Sequence, residues 1–300
     1  MGAKAGLCTA FVAGAAGVGL GVAGRQVKQR FGCPPRRAPG TGSVPTDAVD
    51  VAIRSADGAT IRGWWRRPPA ARHGGAGWSG AAALVVHGWG GSATDMLPVS
   101  EPLLGAGLSV LVLDTRCHGR SDDAALTSMP AFAEDIRSAL AWLRGQPEVD
   151  SDRVVLVGHS VGAGACLFVA AGDRRVAAVV SLASMADPET FMSRRLRRVL
   201  PSWIASLALR YVEHTIGHRF AEFSPVHTIG RVRAPVLLLH GDRDATVPVT
   251  DAFRLHAEAP GHSRLVVLPD ADHNDLEALD GATPTLLDFL RDNGLVGPTG

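Results

Sequence analysis

The chain has little imbalance of charge and little cysteine. Across its 300 residues, 30 Lys and Arg stand against 29 Asp and Glu, a formal net charge of +1. That balance offers no general electrostatic attraction to nucleic acid. The four cysteines, Cys8, Cys33, Cys117 and Cys166, are scattered without framework spacing, so structural disulfides are not expected. Cys166 reads as a small core residue. No Cys/His spacing suited to zinc occurs, and neither a metal nor a cofactor is expected. What remains, 46% apolar and 20% charged, is an ordinary globular composition with room for one domain of about 250 residues.

The first unusual stretch is Ala5 to Gly24, which carries no charge and is long enough to cross a bilayer as a helix. Lys4 precedes it, and Arg25, Lys28, Arg30, Arg36 and Arg37 follow. A retained helix would therefore keep the body on the cytoplasmic side, giving membrane association through residues 5–24. Export is the alternative, with Val22-Ala23-Gly24 supplying the small residues of a cleavage site; a disordered tail is a third reading. Residues 31–46 are rich in Pro, Gly and Arg and read as a linker. The expected division is an anchor or signal plus linker over 1–47 and a folded body over 48–300.

The body opens with two strand-like runs, Val49–Arg54 and Thr60–Trp65, around the turn signal Asp57-Gly58, an antiparallel hairpin. Continuous apolar runs then alternate with amphipathic segments: Ala82–Val86, Ser109–Leu113, Val154–Val157, Val176–Leu182, Val236–Leu239 and Leu265–Leu268. This pattern implies an α/β fold, a mostly parallel central sheet with helices on both faces. About fifty residues separate Val176–Leu182 from Val236–Leu239, more than a crossover needs, so 187–232 is expected to be a short helical cap. It carries Arg194, Arg195, Arg197 and Arg198 beside Leu200, Trp203, Ile204, Leu207 and Leu209. A helix with a solvated basic face and a core-facing apolar face is one reading; contact with a membrane surface is the other.

Chemistry-bearing residues gather where strands end. Val154–Val157 leads into Gly158-His159-Ser160-Val161-Gly162, then a small-residue helical stretch. A strand, a sharp turn and a helix would expose the Ser160 hydroxyl as a nucleophile, with glycines two residues either side relieving the turn; a helix-capping serine is the bland alternative. His87-Gly88-Trp89-Gly90-Gly91 follows Val86, His240-Gly241-Asp242-Arg243-Asp244 follows Leu239, and Asp270-Ala271-Asp272-His273 follows Leu268. Strand carboxyl ends are where such sheets collect reactive groups. Asp242 and Asp187 compete with Asp244 as acid, and His87, His159, His240 and His262 compete with His273 as base.

With four motifs in this order, residues 49–292 resemble the α/β-hydrolase superfamily. Asp114-Thr115-Arg116-Cys117-His118-Gly119-Arg120-Ser121 is similar to the family's D-x-R-G-H-G-x-S segment, with Cys117 where glycine is usual. Gly241 to Pro248 is similar to its G-x-x-D-x-x-V-P element, whose aspartate is the triad acid. The segments DGATIRGWW and SPVHTIGRVRAPVLLLHG resemble the branch with BEM46-like and dienelactone-hydrolase-like serine hydrolases. The resemblance implies Ser160 as nucleophile, His273 as base, Asp244 as the acid that orients it, and the backbone N–H groups of Trp89 and Val161 as an oxyanion hole. His118 and Arg120 are expected to tie loops together. The expected activity is cleavage of a small-molecule carboxylic ester, or a thioester or amide, through an acyl-serine. A serine acyltransferase and a silent binding protein on the same fold are the alternatives.

Overall fold

The structure, a computed structural model, describes residues 32–36, 44–68, 80–276 and 281–297. The uncharged stretch 5–24 lies outside the described residues, and among those described no helix is long and apolar enough to cross a membrane.

Eight strands form one sheet: β1 (Val49–Arg54), β2 (Thr60–Arg66), β3 (Ala82–Val86), β4 (Ser109–Asp114), β5 (Val154–His159), β6 (Val176–Leu182), β7 (Val236–Gly241) and β8 (Ser263–Leu268). Their spatial order is β1-β2-β4-β3-β5-β6-β7-β8. The β1–β2 and β2–β4 pairs are antiparallel and all the others parallel. The central strands read as unbroken apolar runs because both faces are covered and successive side chains point to opposite cores. Ala82, Leu84 and Val86 of β3 enter one cluster with Leu156 of β5. Ala83 and Val85 enter the other with Val155 and Val157.

Helices complete each core. On the β1-to-β8 sheet's first face lies α2 (Met129–Arg144), started by Ser128, whose hydroxyl accepts the Ala131 N–H at 3.3 Å, a cap that satisfies an otherwise orphan donor. Its residues Phe132, Ile136, Leu140 and Leu143, spaced three or four apart, are all buried in that core, the stripe expected of a helix lying on a sheet. The second face is covered by α1 (Leu97–Gly105) and α9 (Thr283–Asp292), through Val99, Leu103, Leu286, Phe289 and Leu290. The helix α3 (Val161–Ala170) follows β5 directly.

Between β6 and β7, the stretch expected at 187–232 holds α4 (Pro188–Leu196), α5 (Ser202–Ile216) and two single turns, α6 (Phe220–Phe223) and α7 (Pro225–Thr228). The helix α8 (Thr250–Glu258) was not anticipated from the sequence. It has no side-chain cap and buries only a narrow face, Asp251, Ala252 and Leu255. The start after Pro248 and the spacing of Ala252, Leu255 and Ala259 were its available signals.

Candidate active site

Strand β5 ends at His159 and α3 begins at Val161, so the whole reversal falls on Ser160, at φ 53° and ψ −116°. Such a conformation costs on the order of 1–3 kcal/mol in a non-glycine residue and persists only when its surroundings fix it. Here the flanking glycines do so. A Cβ on Gly158 would lie 2.6 Å from the Ala163 nitrogen, and one on Gly162 would collide with the carbonyl oxygen of His87. The Ser160 N–H donates to the Leu182 carbonyl at 2.8 Å, fastening the turn to β6.

The structure brings Ser160, His273 and Asp244 together. His273 Nε2 lies 3.1 Å from Ser160 Oγ, and Nδ1 lies 2.6 Å from Asp244 Oδ2. All three residues are buried. Asp244 Oδ1 accepts the N–H groups of Thr246 and Val247 at 2.8 and 2.7 Å. Burial alone would raise the Asp244 carboxyl; hydrogen bonds from His240, His273 and the Val247 amide override it and hold the group well below the usual carboxylate range. It is therefore ionised at neutral pH and accepts from Nδ1, leaving Nε2 free to take a proton from Ser160.

Three of the competing residues lie elsewhere. Asp242 is exposed, Asp187 starts α4 by accepting from Glu189 N–H and Thr190 Oγ1, and His262 bonds to the Ile229 carbonyl. Two other histidines serve as supports. His159 Nε2 donates to the His273 carbonyl at 2.8 Å. His240 Nε2 donates to the Val247 carbonyl at 2.8 Å and lies 3.3 Å from Asp244 Oδ2.

The glycine-rich turn after β3 rests on the serine: a Cβ on Gly88 would lie 3.0 Å from that of Ser160. The rings of His118 and His87 hold this turn. His118 Nε2 accepts the Gly90 N–H at 3.0 Å while its Nδ1 donates to the Arg116 carbonyl at 2.9 Å. His87 Nε2 accepts the Thr115 N–H at 3.1 Å and Nδ1 donates to Gly88 O at 2.7 Å. Each ring has one donor and one acceptor nitrogen, so each is neutral; burial pushes His118 down to about 3 and His87 to about 4. Arg120 pairs with Asp50 and lies over the Trp64 ring, joining its loop to β1 and β2. The indole of Trp89 is 38% exposed and meets the His118 ring edge-on.

One expectation is corrected. Cys33 and Cys117, read as free from their spacing, are joined by a disulfide across 84 residues. Spacing alone could not reveal it, because residues 32–36 fold back on the loop after β4. The Thr127 N–H donates to Gly32 O at 2.7 Å. Arg36 donates to the carbonyls of His118, Gly119 and Ser121 and to Asp123. Cys117 adopts φ 65°, the left-handed conformation that a glycine would take there without strain. The nearby grouping of Cys33, Cys117 and Asp123 offers a metal no thiolate, since both sulfurs are bonded.

Above Ser160, Val161, Trp89 and His273 opens a cavity of about 1810 Å³, larger than the usual ligand pocket of roughly 300–1,000 Å³. Its walls include Met129, Met185, Phe191, Leu196, Ile216 and Phe223, with Gly32 and Thr127 at one side.

Comparison with known proteins agrees with this architecture. Residues 83–281 match the model of the alpha/beta hydrolase family, and the chain belongs to that family. Rv2307c of Mycobacterium tuberculosis, an uncharacterised protein, is 33% identical over 254 residues, covering 84% of this chain and 81% of that one. Among solved structures, the Pyrococcus furiosus esterase Pf2001 superposes with a TM-score of 0.68 at 23% identity, covering 87% and 98% of the two chains. Est1E of Butyrivibrio proteoclasticus, with ferulic acid bound, gives 0.64 at 19% identity, covering 81% and 98%. At these identities the two structures speak to the fold.

Proposed function

We propose that this protein is a serine hydrolase that cleaves a carboxylic ester with a large apolar acyl group. The observation that carries the reading is the hydrogen-bonded chain from Ser160 Oγ through His273 to Asp244. A serine hydroxyl is a weak nucleophile until a neighbouring base takes its proton. His273 Nε2 removes that proton as Oγ attacks the ester carbonyl, and Asp244 stabilises the imidazolium that forms. Negative charge on the former carbonyl oxygen is met by the N–H groups of Trp89 and Val161, the latter opening a helix whose dipole adds to the effect. One such donor is worth about 10²–10³ in turnover. His273 returns the proton to the leaving alkoxide, and water admitted by the same base releases the acid.

The helices α4 and α5 act as a cap over this chemistry, and the apolar walls they share with Met129 and Met185 support the choice of an apolar acyl group. The family membership and the fold shared with the esterase Pf2001 support hydrolysis. The Cys33–Cys117 disulfide favours an oxidising compartment, where such bonds persist, and hence the exported location over the cytoplasmic one.

The test is initial rates on p-nitrophenyl esters from acetyl to palmitoyl, with fluorophosphonate labelling, for the full chain and Ser160→Ala. A loss of at least about 10³-fold in the variant, with labelling abolished, is expected. Labelling without ester turnover would indicate transfer to an alcohol acceptor. Absence of both would refute the enzyme reading in favour of a binding protein.

A further inference from the structure

Seven large hydrophobic side chains are exposed among the described residues, and three of them, Val199, Trp203 and Leu207, succeed one another at intervals of four around the start of α5. Their exposures are 77%, 71% and 53%. Trp203 and Leu207 lie one helical turn apart on the same face, and Val199 continues the line into the turn before it. The core does not need this face. The neighbouring residues Leu196, Val212 and Ile216 already turn inward to the body and the cavity. An apolar stripe left outside on a two-faced element marks a contact with something else.

The charge around the stripe states what that partner carries. Residues 190–211 contain Arg194, Arg195, Arg197, Arg198 and Arg210 and no Asp or Glu. The first four crowd the end of α4 and the turn that follows, all exposed. Trp at the level of headgroups, an aliphatic residue below it and arginines alongside are the ingredients of interfacial binding to anionic lipid. Arg195 and Val199 also line the cavity, so the stripe is continuous with the cavity's rim. We propose that the outer face of α4 and α5 docks on an anionic lipid bilayer, with Trp203 and Leu207 inserted and the arginines on the headgroups. A bilayer docked there lies beside the opening above Ser160.

The full chain is tested for partition onto phosphatidylcholine vesicles with and without phosphatidylglycerol, at low and high salt, and for quenching of its tryptophan fluorescence by brominated lipid. Quenching reads the seat of the cap even if residues 5–24 also hold the chain. Expected are stronger partition onto the anionic vesicles, weakened by salt, and quenching that is largely lost in Trp203→Phe. Arg194→Gln/Arg197→Gln/Arg198→Gln should remove roughly fivefold in partition per arginine near the surface. The Trp203→Glu/Leu207→Glu pair should lower it by about tenfold or more. These five side chains lie outside the cavity lining, so hydrolysis of a water-soluble ester separates this proposal from the enzymatic one. Quenching unchanged in Trp203→Phe, or partition indifferent to lipid charge and to the arginine substitutions, would overturn it. So would a dimer in light scattering that Trp203→Glu/Leu207→Glu dissociates while vesicle binding stays the same, since a second copy would then cover the stripe.

Discussion

Replacing Arg116 by alanine should cost about 3–5 kcal/mol of stability at neutral to alkaline pH. The guanidinium donates to Asp135 Oδ1 from Nε at 3.0 Å and from Nη2 at 2.7 Å, to Ser55 Oγ at 3.0 Å, and from Nη1 to Asp57 at 2.6 Å. Asp57 is exposed and contributes on the order of 1 kcal/mol or less. The large cost comes from Asp135, which is 0% exposed and would lose its cation while remaining buried, the situation measured at about 3–5 kcal/mol. In a body of this size that corresponds to a fall in Tm of roughly 10 °C. The sign of its pH dependence follows from the carboxyl. Burial already raises Asp135 above the ordinary range, against the hydrogen bonds and charge of Arg116, and removing the arginine raises it further. A folded-state pKa above the unfolded one gives stability that is present at low pH and lost as pH rises through the folded value. The deficit should therefore be largest at pH 8 and shrink towards pH 5. Urea denaturation of both proteins at the two pH values measures it. A deficit below about 1 kcal/mol at pH 8, or one that does not shrink on acidification, would refute the reasoning.

Three further outcomes are expected. Cys33→Ser should lower the urea midpoint, with about 4.5 kcal/mol as the ceiling set by closing an 84-residue span; Cys117→Gly should lose about 1 kcal/mol less, because glycine relieves the left-handed backbone there. Equal midpoints with and without reductant would count against the bond. His118→Ala removes the acceptor of the Gly90 N–H and lets the Trp89 amide drift, so kcat on a soluble ester should fall about tenfold with little change in KM, short of the 10²–10³ for a donor lost outright; an unchanged kcat would show that the turn holds itself.

The sheet was legible because its central strands are covered on both faces, which forces unbroken apolar runs such as Val154–Val157 that local pattern detects. The turn at Ser160 was legible for a similar reason: glycines at 158 and 162 are demanded by contacts within a few residues or with the adjacent β3 turn. Asp244 and His273 stood among several candidates at strand ends and only the family resemblance singled them out; the contact between His273 and Ser160 spans 113 residues and depends on the order β5-β6-β7-β8, which no local periodicity states. Helix α8 was not legible because it buries a narrow face and has no side-chain cap. The disulfide was not legible either, because only the folding back of residues 32–36 brings Cys33 to Cys117. The support given by His118 to Gly90 was visible only as a motif member, since its partner lies 28 residues away.

The fastening of Cys33 to Cys117 also sets a radius. Gly32 forms part of the cavity wall, and only residues 25–31 separate it from the uncharged stretch 5–24. The eight steps from Gly24 to Gly32, drawn out fully, reach about 28 Å. In a chain that keeps this stretch, the bond therefore holds the rim of the cavity within that distance of Gly24, and in a chain cleaved there it leaves only a short tail at the rim.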